Sequence, residues 1–313
     1  MLAPQSPLAG DLPGLPHDAM TAFAAYEAAR DRLPQAGFPV LTHHLPSLAK
    51  VADHVDGFLL DAFGVLNVGD TAIPGAVQRM ADLRARGKRL VVLTNAASYT
   101  RPQLLTKYHR LGFDFSASEV VSSRDVAAPQ LAQIAPGAVW AALSAEGDSF
   151  DDFDADLVDA FAHPQMLRDA DAFVFLSTAR WTMALQSDLI AALRQRPRPL
   201  VIANPDIVAP REVGLSLEPG LFGHLLLNAL PNADVHWFGK PFGASFTQAL
   251  CQIGLAPDRV AMVGDTLHTD VLGGAAAGCA TVLVTDHGLF RGQDVATVIA
   301  ASGIVPDFVV RTT

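Results

Sequence analysis

The chain has 313 residues, of which 50% are hydrophobic and 17% are charged, and its 22 basic and 32 acidic side chains leave a net charge of −10. That composition feeds a sizeable core and excludes a disordered chain, while the lack of any basic block argues against nucleic acid or an anionic membrane as the main partner. No apolar run reaches membrane-spanning length, the first basic residue is Arg30 behind Pro4, Pro7, Pro13 and Pro16, and Cys251 and Cys279 lack metal-ligand spacing, so a reducing cytoplasm is the expected setting.

Residues 1–17 are rich in Pro and Gly and read as an arm, and helix-forming composition follows over 19–32; residues 1–49 thus form an N-terminal arm and helix. From 50 to 136, apolar runs alternate with helix patterns. Strands are expected around Leu59, over 90–95 and around Val120. One helix is expected over 74–86, with Pro74 near its start and Gly87 as its stop, and another over 101–111, opened by Thr100-Arg101-Pro102 and ended by Gly112. This is the βαβ rhythm of a parallel sheet. A second rhythm fills 137–234, with strands over 139–143, 172–176 and 200–203 and a helix over 185–194. It is too large for a loop and reads as a cap domain that closes over a crevice and chooses the substrate. Residues 235–313 resume the first unit, with a helix over 244–253 and strands from Val260, over 281–284 and over 308–310. The predicted fold is α/β: a doubly wound parallel-sheet core with an inserted α/β cap domain.

Four strand ends carry polar residues of one chemical set. The run Gly57-Phe58-Leu59-Leu60 stops on Asp61 and turns at Gly64. In an open parallel sheet, ligands sit beyond the carboxyl ends of the strands, so Asp61 stands where chemistry is placed. Leu90 to Leu93 delivers Thr94 and Asn95. Val260 to Gly264 delivers Asp265, with Asp270 five residues on, and Lys240 sits at a turn between them. Metal-assisted phosphoryl transfer through an aspartyl intermediate needs a nucleophilic carboxylate, holders for the phosphoryl oxygens and acids for a cation, and this set supplies each.

These four motifs resemble those of the haloacid dehalogenase superfamily over residues 50–310, in the arrangement of its class IIA branch of small-metabolite phosphatases. The first is Asp61-Ala62-Phe63-Gly64-Val65-Leu66, the second Leu93-Thr94-Asn95, the third Gly239-Lys240-Pro241, and the fourth runs from Gly264-Asp265 to Asp270. The class IIA mark is the long insert, with Asn204-Pro205-Asp206 inside it. The resemblance implies Asp61 as nucleophile, Thr94 and Asn95 on the transferring phosphoryl group, and Lys240 paired with it and with Asp61. It implies Mg²⁺ held by Asp61, the Phe63 carbonyl and Asp265, with Asp270 in support. Asn204 and Asp206 would face a small phosphorylated substrate. Relatives of this branch often pair through their caps, which allows a homo-oligomer.

One position departs from the pattern. Family phosphatases carry a second Asp two residues after the nucleophile, and this chain has Phe63. General acid–base help of that kind is worth ~10²–10⁴-fold, and a phenyl ring cannot supply it. Three readings stay open: a phosphatase, a non-phosphate hydrolase resembling the metal-free 2-haloacid dehalogenases, and a weakened or non-catalytic binder of phosphorylated metabolites. A pair of acids beside Asp61 crowds like charges unless a cation is present, which favours the first. A steep dependence of rate on the leaving group is expected unless another residue has taken the acid role.

His268, between the fourth-motif acids, is the nearest candidate for that role, although a surface histidine at a helix start is the plainer expectation. His43 and His44 read as linker surface. The run Asp151-Asp152-Phe153-Asp154-Ala155-Asp156 has the opening spacing of a calcium loop, but Leu157 and His163 replace its glycine and closing acid, so a solvated surface is expected. No phosphate-cradling GxxxxGK loop, dinucleotide glycine fingerprint or GxSxG elbow is present, which leaves nucleotide kinases, dehydrogenases and serine hydrolases unsupported.

Overall fold

The computed structural model describes residues 14–313, so the predicted arm over 1–17 lies mostly outside the described residues. Seven parallel strands form the larger sheet, in the spatial order His43–Leu45, Phe308–Val310, Ala280–Val284, Val260–Gly264, Gly57–Leu60, Arg89–Thr94 and Val120–Ser122. Gly57–Leu60 and Val260–Gly264 lie side by side in register, Leu60 opposite Val263, which brings Asp61 and Asp265 out at the same edge.

Continuous apolar strands are what a sheet covered on both faces requires. Alternate residues pack on opposite sides. Phe58, Leu60, Leu90, Val92, Ala261 and Val263 meet Met80, Leu83, Leu104 and Tyr108 of the helices Ala76–Ala85 and Arg101–Arg110. Leu59, Val91, Leu93, Val260 and Met262 meet Phe246, Ala249 and Ile253 of the helix Gly243–Ile253. The core is therefore doubly wound. At the start of Arg101–Arg110 the Gln103 side chain reaches back to accept from the Thr100 amide at 2.8 Å, and Pro102 in the first turn has no amide to satisfy.

A second parallel sheet of five strands is ordered Val235–Trp237, Leu200–Ile202, Ala172–Phe175, Val139–Leu143 and Asp156–Asp159. It is entered at Val139 and left at Trp237, after which the chain returns to the larger sheet.

Three features differ from the sequence reading. His43–Leu45 is an edge strand beside Phe308–Val310 rather than linker, with both histidines exposed. Asp156–Asp159 is a strand whose acidic ends masked it, and Asp152 from the acidic run pairs with the fully buried Arg124 at 2.7 Å, so that run is not simply solvated. The predicted helix over 19–32 stops at Ala28 and continues as a single 3₁₀ turn, Arg30–Arg32.

The helix Ala19–Ala28 begins at Asp18, whose carboxylate accepts from the Thr21 amide in a capping box. It buries Ala22, Phe23 and Tyr26. They enter one apolar cluster with Phe173, Phe175 and Ile202 of the smaller sheet and with Leu267, Val271 and Leu283 of the larger unit. Each of these aromatic side chains contributes roughly 1.5–3 kcal/mol by leaving water, so this short helix ties both units together.

Candidate active site

Asp61 follows a fully buried inner strand, and its own amide continues the ladder by donating to the Val263 carbonyl at 2.8 Å. Its Oδ1 accepts from the Ala62 amide at 2.7 Å and lies 2.6 Å from Nζ of Lys240. The same ammonium donates to Oδ1 of Asp270 at 2.7 Å. Lys240 is buried, a place where a lone ammonium would shed its proton. Burial opposes its charge, but Asp270 and Asp61 together more than offset this and raise its pKa.

Asp61, Asp265 and Asp270 each present a carboxylate oxygen within 4.8 Å of the other two. The main chain aims them. Asp265 accepts from the Leu289 amide at 2.7 Å and from the Thr266 hydroxyl at 3.0 Å, and Oδ2 of Asp270 accepts from the Thr266 amide at 3.1 Å. Burial, then repulsion from Asp270 and Asp61, pushes Asp265 up to about 8. Burial likewise pushes Asp61 up to about 7, with Lys240 pulling against it. Three hard oxygen donors this close together crowd like charges and form a set short of positive charge. A small divalent cation fits that deficit.

Thr94 and Asn95 leave the neighbouring strand at the same edge. Thr94 is buried, and its hydroxyl oxygen accepts from the Ala96 amide at 3.3 Å. The Asn95 side chain clasps the main chain of Lys240, accepting from its amide at 2.7 Å and donating to its carbonyl at 2.9 Å. Its remaining hydrogen goes to Oδ1 of Asp206 at 2.8 Å. Asn95 thus joins the larger unit to the smaller.

Asp206 sits on a turn pressed down on Lys240. Its amide donates to Oδ1 of Asn204 at 3.0 Å, and Nδ2 of Asn204 donates to Oε2 of Glu218 at 3.1 Å. Pro205 between them fits only because two neighbours lack side chains. A Cβ on Gly239, whose φ is +128°, would lie 2.4 Å from Cδ of Pro205, and one on Gly220 would lie 2.0 Å from its carbonyl oxygen. The glycine of Gly239-Lys240-Pro241 therefore serves the turn of Asn204-Pro205-Asp206.

Phe63 is half-buried with a cation near its ring from each unit, Nζ of Lys107 at 5.0 Å and the Arg211 guanidinium at 5.2 Å. Arg211 in turn donates to Oε1 of Glu218 at 3.0 Å. Neither Arg211 nor Glu218 stands out in the sequence; the only signal is a basic residue five positions after Asp206 in an acidic chain.

His268 corrects the sequence reading. It is fully buried rather than on the surface, stacked on Tyr26, with Nε2 bonded to Glu27. Burial lowers its pKa to about 4 despite Glu27, so it is neutral at pH 7, and it does not line the cleft. It has neither the proton nor the position of a replacement acid.

The other expected residues converge. Asp61, Phe63, Thr94, Asn95, Asn204, Asp206 and Asp265 line one narrow cleft with about 50 Å³ of open space, to which Arg211 and Glu218 also contribute. That is room for a few water molecules or one small tetrahedral group. Lys240 and Asp270 lie behind it, in contact with Asp61 or with each other.

Known proteins resemble this chain over most of its length. Residues 58–151 match the family described as haloacid dehalogenase-like hydrolase, and residues 237–312 match one described as HAD-hydrolase-like. Human glycerol-3-phosphate phosphatase is 31% identical over 290 residues, covering 84% of this chain and 89% of the relative. The solved structure of a possible sugar phosphatase from Cytophaga hutchinsonii superposes with a TM-score of 0.73 at 26% identity, covering 86% of this chain and 97% of the other. A glycerol phosphate phosphatase from Mycobacterium tuberculosis, solved with calcium, gives a TM-score of 0.60 at 28% identity over 76% of this chain and 68% of the other. The gap between the two matched segments, residues 152–236, falls within the smaller sheet unit.

Proposed function

Because this chain belongs to the haloacid dehalogenase-like hydrolases, in their class IIA branch, we propose that it is a Mg²⁺-dependent phosphatase of small phosphorylated metabolites that works through an aspartyl-phosphate. The observation that carries the reading is Asp61 held 2.6 Å from a buried Lys240, with Asp265 and Asp270 converging on it. Oδ2 of Asp61, free of Lys240, attacks phosphorus. Thr94 and Lys240 hold phosphoryl oxygens; Asn95, expected on the phosphoryl group as well, has its side-chain oxygen and both amide hydrogens engaged by Lys240 and Asp206, so it fixes Lys240 instead. The unit from Val139 to Trp237 acts as the cap, with Asn204 and Asp206 on the substrate side.

Asp61, the Phe63 carbonyl and Asp265 would hold the cation, supported by Asp270, and when bound it supplies charge stabilisation to the transferring phosphoryl group. A second solved form of the Mycobacterium tuberculosis relative contains magnesium, which supports that choice of ion. The three converging carboxylates weigh against the metal-free dehalogenase reading, which has no use for them. Phosphate release from a panel of small phosphate esters in Mg²⁺ tests the proposal. Release by wild type that disappears in Asp61→Asn is expected; an undiminished Asp61→Asn would overturn it.

A further inference from the structure

With Phe63 in place of the usual acid, a proton for the leaving oxygen must come from elsewhere, and the cleft offers few sources. The carboxyl groups that line it are Asp61, Asp206, Glu218 and Asp265. Asp61 is the nucleophile. Asp265 is bonded by the Leu289 amide and the Thr266 hydroxyl and faces the cation position. Both oxygens of Glu218 are already engaged, Oε1 accepting from Arg211 and from Ser216 Oγ at 2.6 Å, and Oε2 accepting from Asn204. Asp206 alone remains. Its Oδ1 takes one bond from Asn95, and its Oδ2 has no protein partner among the described residues.

Resting on the phosphatase reading above, we propose that Asp206 is the proton donor that replaces the missing acid, delivered from the substrate-side unit rather than from the nucleophile's own strand. Its place is rigid. Pro205 is wedged against Gly239 and Gly220, the Asp206 amide is tied to Asn204, and the next amide, of Ile207, donates to the Tyr26 hydroxyl at 3.0 Å. Asp61 and Asp206 line the same narrow cleft from opposite units, and Asn95 and Lys240 connect them behind it. Burial holds the carboxyl well above the usual carboxylate range; Lys240 opposes this, and Asp61 and Asp270 add to it. Burial thus favours the protonated form of Asp206, the form a donor needs.

The exchange balances. As Oδ2 of Asp61 bonds to phosphorus and the bond to the ester oxygen breaks, the Asp206 proton passes to that oxygen and the alcohol leaves. The Asp206 carboxylate then takes a proton from the water that attacks the aspartyl-phosphate, and breaking of its bond to Asp61 releases phosphate. Asp61 returns as carboxylate and Asp206 as acid.

The test compares wild type with Asp206→Asn in Mg²⁺ on glycerol phosphate and on p-nitrophenyl phosphate. The first must expel an alkoxide, and the second a phenolate that departs unaided. Asparagine keeps the shape and can still accept from Asn95, but has no acidic proton. The expected result is a loss in kcat of ~10²-fold or more on glycerol phosphate and under about tenfold on p-nitrophenyl phosphate. Across ring-substituted phenyl phosphates, the rate should depend steeply on the leaving group in the variant and weakly in wild type. Equal losses on both esters, or parallel slopes, would make Asp206 a binding residue and overturn the proposal alone. Wild type that releases phosphate from neither ester would overturn the phosphatase reading with it.

Discussion

The imidazole of His268 lies flat on the phenol ring of Tyr26, with centroids 5.0 Å apart and planes 11° apart. Glu27, next along the same helix, takes Nε2 of that imidazole at 2.5 Å, and the Tyr26 hydroxyl accepts from Ile207 beside Asp206. One helical turn thus touches the segment carrying Asp265 and Asp270 and the segment carrying Asp206. Tyr26→Phe keeps the stack and leaves the buried Ile207 amide without an acceptor, a loss of about 1–3 kcal/mol. We expect a lower urea midpoint and a fall in kcat larger than any change in KM. An unchanged midpoint and kcat would show that the hydroxyl positions nothing.

Lys240 is the only cation in contact with Asp61 and Asp270 among the described residues. Replacing it with Met leaves two buried carboxylates uncompensated, and breaking a buried pair in that way costs about 3–5 kcal/mol. The expected outcome is a strongly destabilised, inactive Lys240→Met whose melting temperature recovers in part with Mg²⁺. The informative quantity is recovery beyond the gain that Mg²⁺ gives wild type, because a cation bound elsewhere would raise both proteins alike.

The proposed chemical residues were legible because Asp61, Thr94 and Asp265 end short apolar strands, while Lys240 at a turn and Asp270 on the helical segment after Asp265 complete a set of side chains suited to one reaction. The ties between units were not. Glu27 and His268 are 241 positions apart, and an alanine-rich helix announces only that it is a helix. The strand Asp156–Asp159 hid behind its acidic ends, since strand patterns are read from apolar alternation. Gly239 read as part of a lysine turn. Its service to Pro205 depends on a contact between two segments that only the fold brings together.

Gly239→Ala tests that contact. The new methyl would meet Cδ of Pro205 at 2.4 Å and Oδ1 of Asn95 at 2.6 Å, and alanine is strained at a φ of +128°. Backbone strain and overpacking each cost about 1–3 kcal/mol. Activity should fall more than stability, because the methyl pushes apart Asn95 and the turn that carries Asp206. Loss of stability with full kcat in the surviving enzyme would contradict this.

Stability should depend on pH in a way that Mg²⁺ reverses. Asp61 and Asp265 have folded pKa values raised from 3.8 to about 7 and about 8, burial being the main cause. A raised pKa contributes stability that is fully present below the unfolded value and lost as pH climbs through the folded one. Metal-free protein should therefore lose this contribution between about pH 4 and pH 8. His268 runs the other way: its pKa is lowered from 6.5 to about 4, so its contribution is present above 6.5 and lost as pH falls towards 4. Taking the difference between melts with and without Mg²⁺ cancels His268. The gain from Mg²⁺ should grow from pH 5 to pH 8, and a gain independent of pH would mean that the cation does not sit among these acids.

Phe63 holds two cations rather than a proton. Its ring stands 5.0 Å from Nζ of Lys107 and 5.2 Å from the Arg211 guanidinium, contacts worth about 0.5–2 kcal/mol each where water is excluded. Phe63→Leu retains an apolar side chain and the main-chain carbonyl while removing the π face. We expect a loss of about 1–3 kcal/mol in stability, read from denaturant midpoints, and weaker anchoring of Arg211 at the cleft. The dependence of rate on the leaving group should match wild type, since position 63 contributes no proton in either protein. A steeper dependence in Phe63→Leu would mean that the ring helps to place the donor, and would move part of the acid function back to the first motif.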